Sequence, residues 1–177
     1  MRMWTAIALG IAAVSAGCGG GSGSSAGAIP TSVPGNKRLS DLTPAERGQY
    51  CADIAAWAMS GPFLTDGCNA DAWLSTYLQS SLDTAATDAD LQATCAGLYA
   101  QCVANGVSST CDTSMPSTCT ATVSEYDACV VESIDILGTL PACSAVTRAS
   151  LAPTINSLNS HPLSSKCMAV QAACPSM

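Results

Sequence analysis

Apolar positions recur along this chain at the three- and four-residue spacing of helices, and nowhere alternate over the length of a strand. Thr43-Pro44-Ala45-Glu46 has the spacing of a capping box, with proline at the first helical position. From there Tyr50, Cys51, Ile54, Trp57 and Ala58 predict a helix to about Ser60, stopped by Gly61-Pro62. Asn69 or Asp71 is the expected cap of a second helix, with Trp73, Leu74, Tyr77 and Leu78 on one face. Thr87 to Asp90 opens a third, which carries Leu91, Cys95, Leu98, Tyr99 and Cys102 and ends near Asn105-Gly106. Residues 107–118 read as a loop. A fourth helix starts near Thr120 or Thr122, where Thr122 and Glu125 again have capping-box spacing. Gly138 and Pro141 break the chain after it, Pro153 and Pro162 bound a short helical piece, and Ser164 to Cys174 forms the last helix. The expectation is an all-α, disulfide-stapled bundle of about five helices.

The front of the chain has a different pattern. Arg2 precedes an apolar run from Trp4 to Val14, followed by Ser15, Ala16, Gly17 and Cys18. This is the three-part plan of a secretory signal. At eleven residues the run is too short for a permanent span, which takes about 20 apolar residues. Val14-Ser15-Ala16 suits an ordinary signal peptidase, which would leave a soluble protein beginning at Gly17. Ser15-Ala16-Gly17-Cys18 resembles the lipobox of bacterial lipoproteins, in which the cysteine is acylated and becomes the first residue. Ser15 departs from that pattern, which usually has leucine there. Behind Cys18, residues 19–36 are rich in Gly, Ser and Pro, a composition that makes a flexible tether. The expected division is a signal over 1–17, a lipid-anchored tether over 18–36 and a cysteine-rich helical domain over 37–177. Gly19 follows the anchor where an acidic residue tends to retain lipoproteins in the inner membrane, so the resemblance implies the outer membrane.

Cysteine parity supports the anchor. The chain has 11 cysteines, and an odd cysteine in an exported protein needs an explanation. Lipidating Cys18 leaves an even set as disulfide candidates: Cys51, Cys68, Cys95, Cys102, Cys111, Cys119, Cys129, Cys143, Cys167 and Cys174. Cys95 and Cys102 are seven apart, as are Cys167 and Cys174. Seven residues of helix rise about 10.5 Å, beyond the reach of one disulfide, so each cysteine must staple its helix to another element. An antiparallel pairing of Cys95 with Cys174 and Cys102 with Cys167 would satisfy that geometry, among many alternatives.

Charge excludes one class of partner. The formal balance is −7, and removing Arg2 with the signal makes it −8. Nucleic acid needs a basic footprint, so it is not an expected partner. Anionic lipid would not attract such a surface either, so membrane attachment rests on the acyl anchor.

Candidate chemistry is sparse. The closest cysteines are spaced C-x₆-C, so neither a zinc pair nor a redox C-x-x-C is present. The single histidine, His161, lies beside Pro162 and reads as a loop residue. Gly21 to Ala26 matches G-x-G-x-x-A on paper but comes after a signal rather than a strand. Asp66-Gly67-Cys68-Asn69-Ala70-Asp71 gathers oxygen ligands as calcium loops do, yet lacks the EF-hand pattern; turn and cap duty explains the same residues. Asp83, Asp88 and Asp90 read as negative charge at a helix start. Trp57 and Trp73 sit at helical spacing as core residues, with a ligand groove as the alternative. No catalytic residue, metal or cofactor is expected.

Leu42-Thr43-Pro44-Ala45-Glu46 leading to Cys51, Cys119-Thr120-Ala121-Thr122-Val123 leading to Cys129, and the closing Cys167 and Cys174 resemble the small cysteine-rich lipoproteins of unknown function in myxobacterial proteomes. The resemblance spans about residues 37–177. One departure is Ser60-Gly61-Pro62-Phe63, where a glycine- and tyrosine-rich turn would be expected. The resemblance implies export, disulfides and helices, and carries over no catalytic residue. The expected role is a non-enzymatic interaction or structural module of the cell envelope, anchored in the membrane and facing an envelope or extracellular protein partner. The alternative is a helical module that binds a small ligand or lipid.

Overall fold

The computed structural model describes residues 28–106 and 118–175. Among them are six α-helices: α1 (Pro44–Ala58), α2 (Gly61–Leu82), α3 (Asp88–Asn105), α4 (Val123–Leu137), α5 (Arg148–Ser160) and α6 (Ser165–Ala173). Single 3-10 turns lie at Leu39–Asp41 and Cys143–Ala145. No described residue belongs to a strand; one isolated antiparallel bridge joins Arg38 and Thr122. The all-α, disulfide-stapled architecture is thus present, with six helices where about five were expected.

Side-chain caps set most of the helix starts. Thr43 and Glu46, Thr87 and Asp90, Thr122 and Glu125, and Thr147 and Ser150 form reciprocal capping boxes at α1, α3, α4 and α5. Each box satisfies donors that the first turn of a helix leaves unpaired. Ser164 caps α6 through the Cys167 N–H. The expected starts at Thr43, Thr87, Thr122 and Ser164 therefore stand.

The second helix is much longer than expected. Gly61-Pro62 does end α1, but it also begins α2. Gly61 adopts φ +55°, a left-handed geometry open to glycine, which turns the chain sharply between the helices. Pro62 then occupies the first helical turn, where its missing N–H costs nothing. Asn69 and Asp71 consequently lie inside α2 and cap nothing. Asp83 is likewise not at a helix start; it ends α2, and its carboxylate accepts the Ala85 N–H at 3.0 Å. Asp88 and Asp90 do occupy the first turn of α3. Pro153 does not bound α5 but lies within it. A proline there removes one helical hydrogen bond, yet the buried Leu151 and Ile155 on either side hold the helix against the core.

The helices form two groups that meet where α2 packs on α4. One core joins α1, α4, α6 and the segment before α1 around Tyr50, Leu39, Val123, Cys129, Cys167 and Val170. A second joins α2, α3 and α5 around Trp73, Leu91, Val146, Leu151 and Ile155. A third, between them, contains Ile29, Trp57, Phe63, Val130 and Ile134, with the Trp57 and Phe63 rings edge to face at 4.8 Å. Burial at about 25 cal/mol per Å² of apolar surface supplies the main driving force in each.

The flexible tether expected over 18–36 does not reach residue 36. Ile29 and Val33 are buried in the third and first cores. Ser32 donates its N–H and hydroxyl to Asp53 on α1, at 2.8 and 2.7 Å. Carbonyls of Gly35 and Lys37 receive the N–H groups of Ser124 and Val123, the open donors of the first turn of α4. The packed body therefore begins before Lys37, and the earlier part of the expected tether, with the expected signal, lies outside the described residues.

Candidate functional site: the disulfide frame and its surroundings

Disulfides bind the helical groups. Cys68–Cys102 joins α2 to α3, and Cys95–Cys143 joins α3 to the 3-10 turn before α5. Cys129–Cys167 joins α4 to α6, and Cys119–Cys174 joins the approach to α4 to the end of α6. Cα separations run from 4.1 to 6.1 Å. Their loops span 34 to 55 residues, and closing loops of that length constrains the unfolded chain by about 4 kcal/mol each on the chain-entropy model.

The cysteines spaced seven apart do bond outward, as their helical rise requires. The expected partners were wrong, however: Cys95 does not meet Cys174, nor Cys102 Cys167. Cys167 and Cys174 instead form an antiparallel ladder with Cys129 and Cys119. The two sets belong to different cores, the α3 bridges around α2 and the α6 bridges around α4. Cys51 is disulfide-bonded too. Every described cysteine is thus oxidised. Cys18, the lipidation candidate, and Cys111 lie outside the described residues.

Oxidised cysteines of this number fit an extracellular or envelope compartment. Among the described residues no helix is long and apolar enough to cross a membrane.

The oxygen-rich stretch Asp66 to Asp71 is not a loop. It forms the second and third turns of α2, and Asp66 and Asn69 are buried. The Asn69 side-chain amide donates to the Leu140 and Pro141 carbonyls at 3.3 and 3.1 Å. Among the described residues no group of three or more His, Cys, Asp or Glu side chains is placed to hold a metal ion. His161 ends α5 as an exposed C-cap whose N–H reaches the Leu158 carbonyl. Trp57 and Trp73 are core residues. Trp73 is 0% exposed, and its indole N–H donates to the Pro141 carbonyl at 2.9 Å. The expected ligand-groove alternative therefore loses both of its named residues to packing.

Sequence pattern alone missed the mixed polarity of the buried face of α2. Asp66, Asn69, Thr76 and Ser80 are buried, on the helical face that also carries Trp73. Leu74, Leu78 and Leu82 point outward at four-residue spacing, with exposures of 43, 55 and 87%. Leu74 and Leu78 were expected to share a face with Trp73 and Tyr77. The structure separates them: Trp73 is in the core with Tyr77 packed against it, whereas the leucines face out. The polar spacing 66, 69, 76 and 80 is the signal that could have shown this rotation.

Two carboxylates have opposite settings. Lys37 holds Glu46 through contacts of 2.6 and 2.7 Å, which lowers the Glu46 carboxyl to about 2, with help from the Thr43 N–H and hydroxyl. Asp127 accepts the Tyr50 hydroxyl at 2.6 Å. Burial raises the Asp127 carboxyl above its ordinary value, and the Tyr50 hydrogen bond opposes that rise. Burial first, then the bond to Asp127, push the Tyr50 hydroxyl upward, so it stays a donor. This pair ties α1 to α4.

No family model, curated protein or solved structure matches the chain.

Proposed function

We propose that the chain is an exported lipoprotein of the cell envelope, held through Cys18, whose helical body is a non-enzymatic interaction or structural module. The carrying observation is the pairing of the cysteines. All nine described cysteines are disulfide-bonded, eight of them to one another, and Cys51 needs one further partner. The sequence has 11 cysteines, so Cys18 and Cys111 are the two that remain, and one thiol is left over. Cys18 closes the apolar signal and sits in a lipobox-like setting, where a thioether to diacylglycerol accounts for the leftover sulfur.

The packed start near Ile29 supports the same reading. Between Cys18 and the described body lie residues 19–27, which can reach at most about 30 Å from an anchor. The domain would thus be held close to its membrane. Two or three acyl chains hold firmly where one would not, at about 0.8 kcal/mol per buried CH₂. Gly19 favours the outer membrane, and the resemblance to myxobacterial cysteine-rich lipoproteins favours export. The outward leucines of α2 support an interaction role, because apolar surface in a row is typical of contact faces.

The test is metabolic labelling with an alkyne fatty acid, then membrane fractionation, for the native chain and Cys18→Ala. The native chain should carry label and sediment with outer membranes, while the variant should do neither. An unlabelled native chain, or a labelled variant, would contradict the anchor. Turnover of a hydrolase substrate by the purified body would contradict the non-enzymatic reading.

A further inference from the structure

Asp66 is 4% exposed, and its Oδ2 has no hydrogen-bond partner among the described residues. It faces Gly138, the residue that ends α4. A Cβ at position 138 would lie 2.8 Å from that oxygen and 3.3 Å from the Asp66 Cγ, so the approach at this distance needs glycine unless the Asp66 carboxyl shifts. The carboxyl group therefore abuts the C-terminal turn of a helix, where carbonyl oxygens and the negative end of the helix dipole collect. An ionised carboxylate presents only acceptors there. A carboxylic acid presents an O–H donor; the Ile134, Ile136 and Leu137 carbonyls already accept the Gly138, Thr139 and Leu140 N–H groups, and the Asp135 carbonyl oxygen lies 3.4 Å from the same Cβ position.

We propose that the contact between Asp66 and Gly138 is a pH-sensitive latch between α2 and the end of α4, closed while Asp66 is a neutral acid and loosened when it ionises. The step is loss of the carboxyl proton to water, which leaves a buried negative charge without a partner. Such a charge is costly and is relieved by letting water in.

The surrounding charges favour the neutral form. Burial raises the Asp66 carboxyl above its ordinary value; the Thr65 hydroxyl pulls it down, and the Asp135 carboxylate pushes it up. Glu132 lies one turn before Asp135 on α4. Helix α3 carries Asp88 and Asp90 at its start, and α1 carries Glu46, Arg47 and Asp53. Arg148 of α5 is engaged at the opposite end of α2, on the carbonyls of Ser80 and Asp83. Among the described residues no cation is one of the groups acting on Asp66.

The sign comes from linkage. A raised native value means that the folded protein holds this proton more tightly than the unfolded chain. The associated stability is present below the unfolded value of about 3.9 and is lost as pH rises through the native one.

The test is carboxyl NMR of the full disulfide-bonded protein from about pH 3 to about pH 8, spanning the ordinary carboxyl range. The Asp66 Cγ resonance should titrate above the usual aspartate range, and the amides of residues 135–140 should shift with the same midpoint. Asp66→Asn should keep those amides in their low-pH positions throughout. An Asp66 midpoint at or below the ordinary value overturns the proposal, as do 135–140 amides that ignore the Asp66 midpoint. The native titration decides the matter even if Asp66→Asn does not fold.

Discussion

The Arg148 guanidinium lies 2.9 Å from the carbonyl oxygen of Asp83, the residue that ends α2. The same group reaches the Ser80 carbonyl at 3.3 Å and the Ala86 carbonyl at 2.9 Å, while the Arg148 N–H donates to the Asp88 carboxylate at 2.8 Å. One residue therefore closes the end of α2, the link to α3 and the start of α5. The last carbonyls of a helix lack intrahelical donors, and a cation there also meets the negative end of the dipole. Arg148→Ala should lower stability by about 2 kcal/mol, read from the urea midpoint. Arg148→Lys should recover less than half of that, because an ammonium cannot span the planar fork of contacts.

Tyr50→Phe keeps the ring in the first core and deletes the donor to Asp127. The loss should be about 1 kcal/mol, the net worth of a hydrogen bond to a half-buried acceptor that water can partly reach. Because the Tyr50 bond restrains the rise of the Asp127 carboxyl, its removal should move the Asp127 titration further upward by NMR. An unchanged Asp127 midpoint would mean that the 2.6 Å contact does not form in solution.

Acid should weaken the junction between the entry segment and α1. Glu46 is lowered to about 2, so its contribution is present above the unfolded carboxyl value and disappears as pH falls from about 4.5 toward 2. Asp53, Asp90 and Glu125 are lowered as well, the first by bonds from Ser32 and the others by their capping threonines. Unfolding midpoints measured down this range should fall in the native chain and fall less in Glu46→Gln. Lys37→Met should reproduce much of the Glu46→Gln effect, since the Lys37 contact is the leading cause of the shift.

The disulfide frame predicts paired behaviour. Replacing Cys129 and Cys167 together by serine should cost about 2–4 kcal/mol and free α6 from α4. Hydrogen exchange should then accelerate in residues 165–173 before it does in α2. Uniform acceleration across both helices would contradict the division into two helical groups.

Much of this fold was legible in local chemistry. Thr43, Thr87, Thr122 and Ser164 mark true helix starts because a cap is a short-range device, written within four residues. The outward bonding of Cys95, Cys102, Cys167 and Cys174 came from helical rise alone. Their partners did not, because partner choice depends on which core each helix joins. Helix α2 departs from its sequence pattern for a related reason. Its buried face carries Asp66, Asn69, Thr76 and Ser80 beside Phe63, Cys68, Ala72 and Trp73, and its exposed face carries leucines, so hydrophobic pattern placed Trp73 correctly and misplaced Leu74 and Leu78. Gly61-Pro62 added to the error, since a pair that stops one helix can equally begin the next. For the anchor, the sequence supplied the signal pattern and the odd cysteine, while the structure contributed the oxidation of every described cysteine.

The most direct measurement of the central claim is intact mass and disulfide-linked peptide mapping of protein extracted from cell membranes. The predicted result is an N-terminal Cys18 carrying diacylglycerol, five disulfides, and Cys51 linked to Cys111. An unacylated Cys18 with a free thiol, or a peptide linking Cys18 to Cys51, would contradict it.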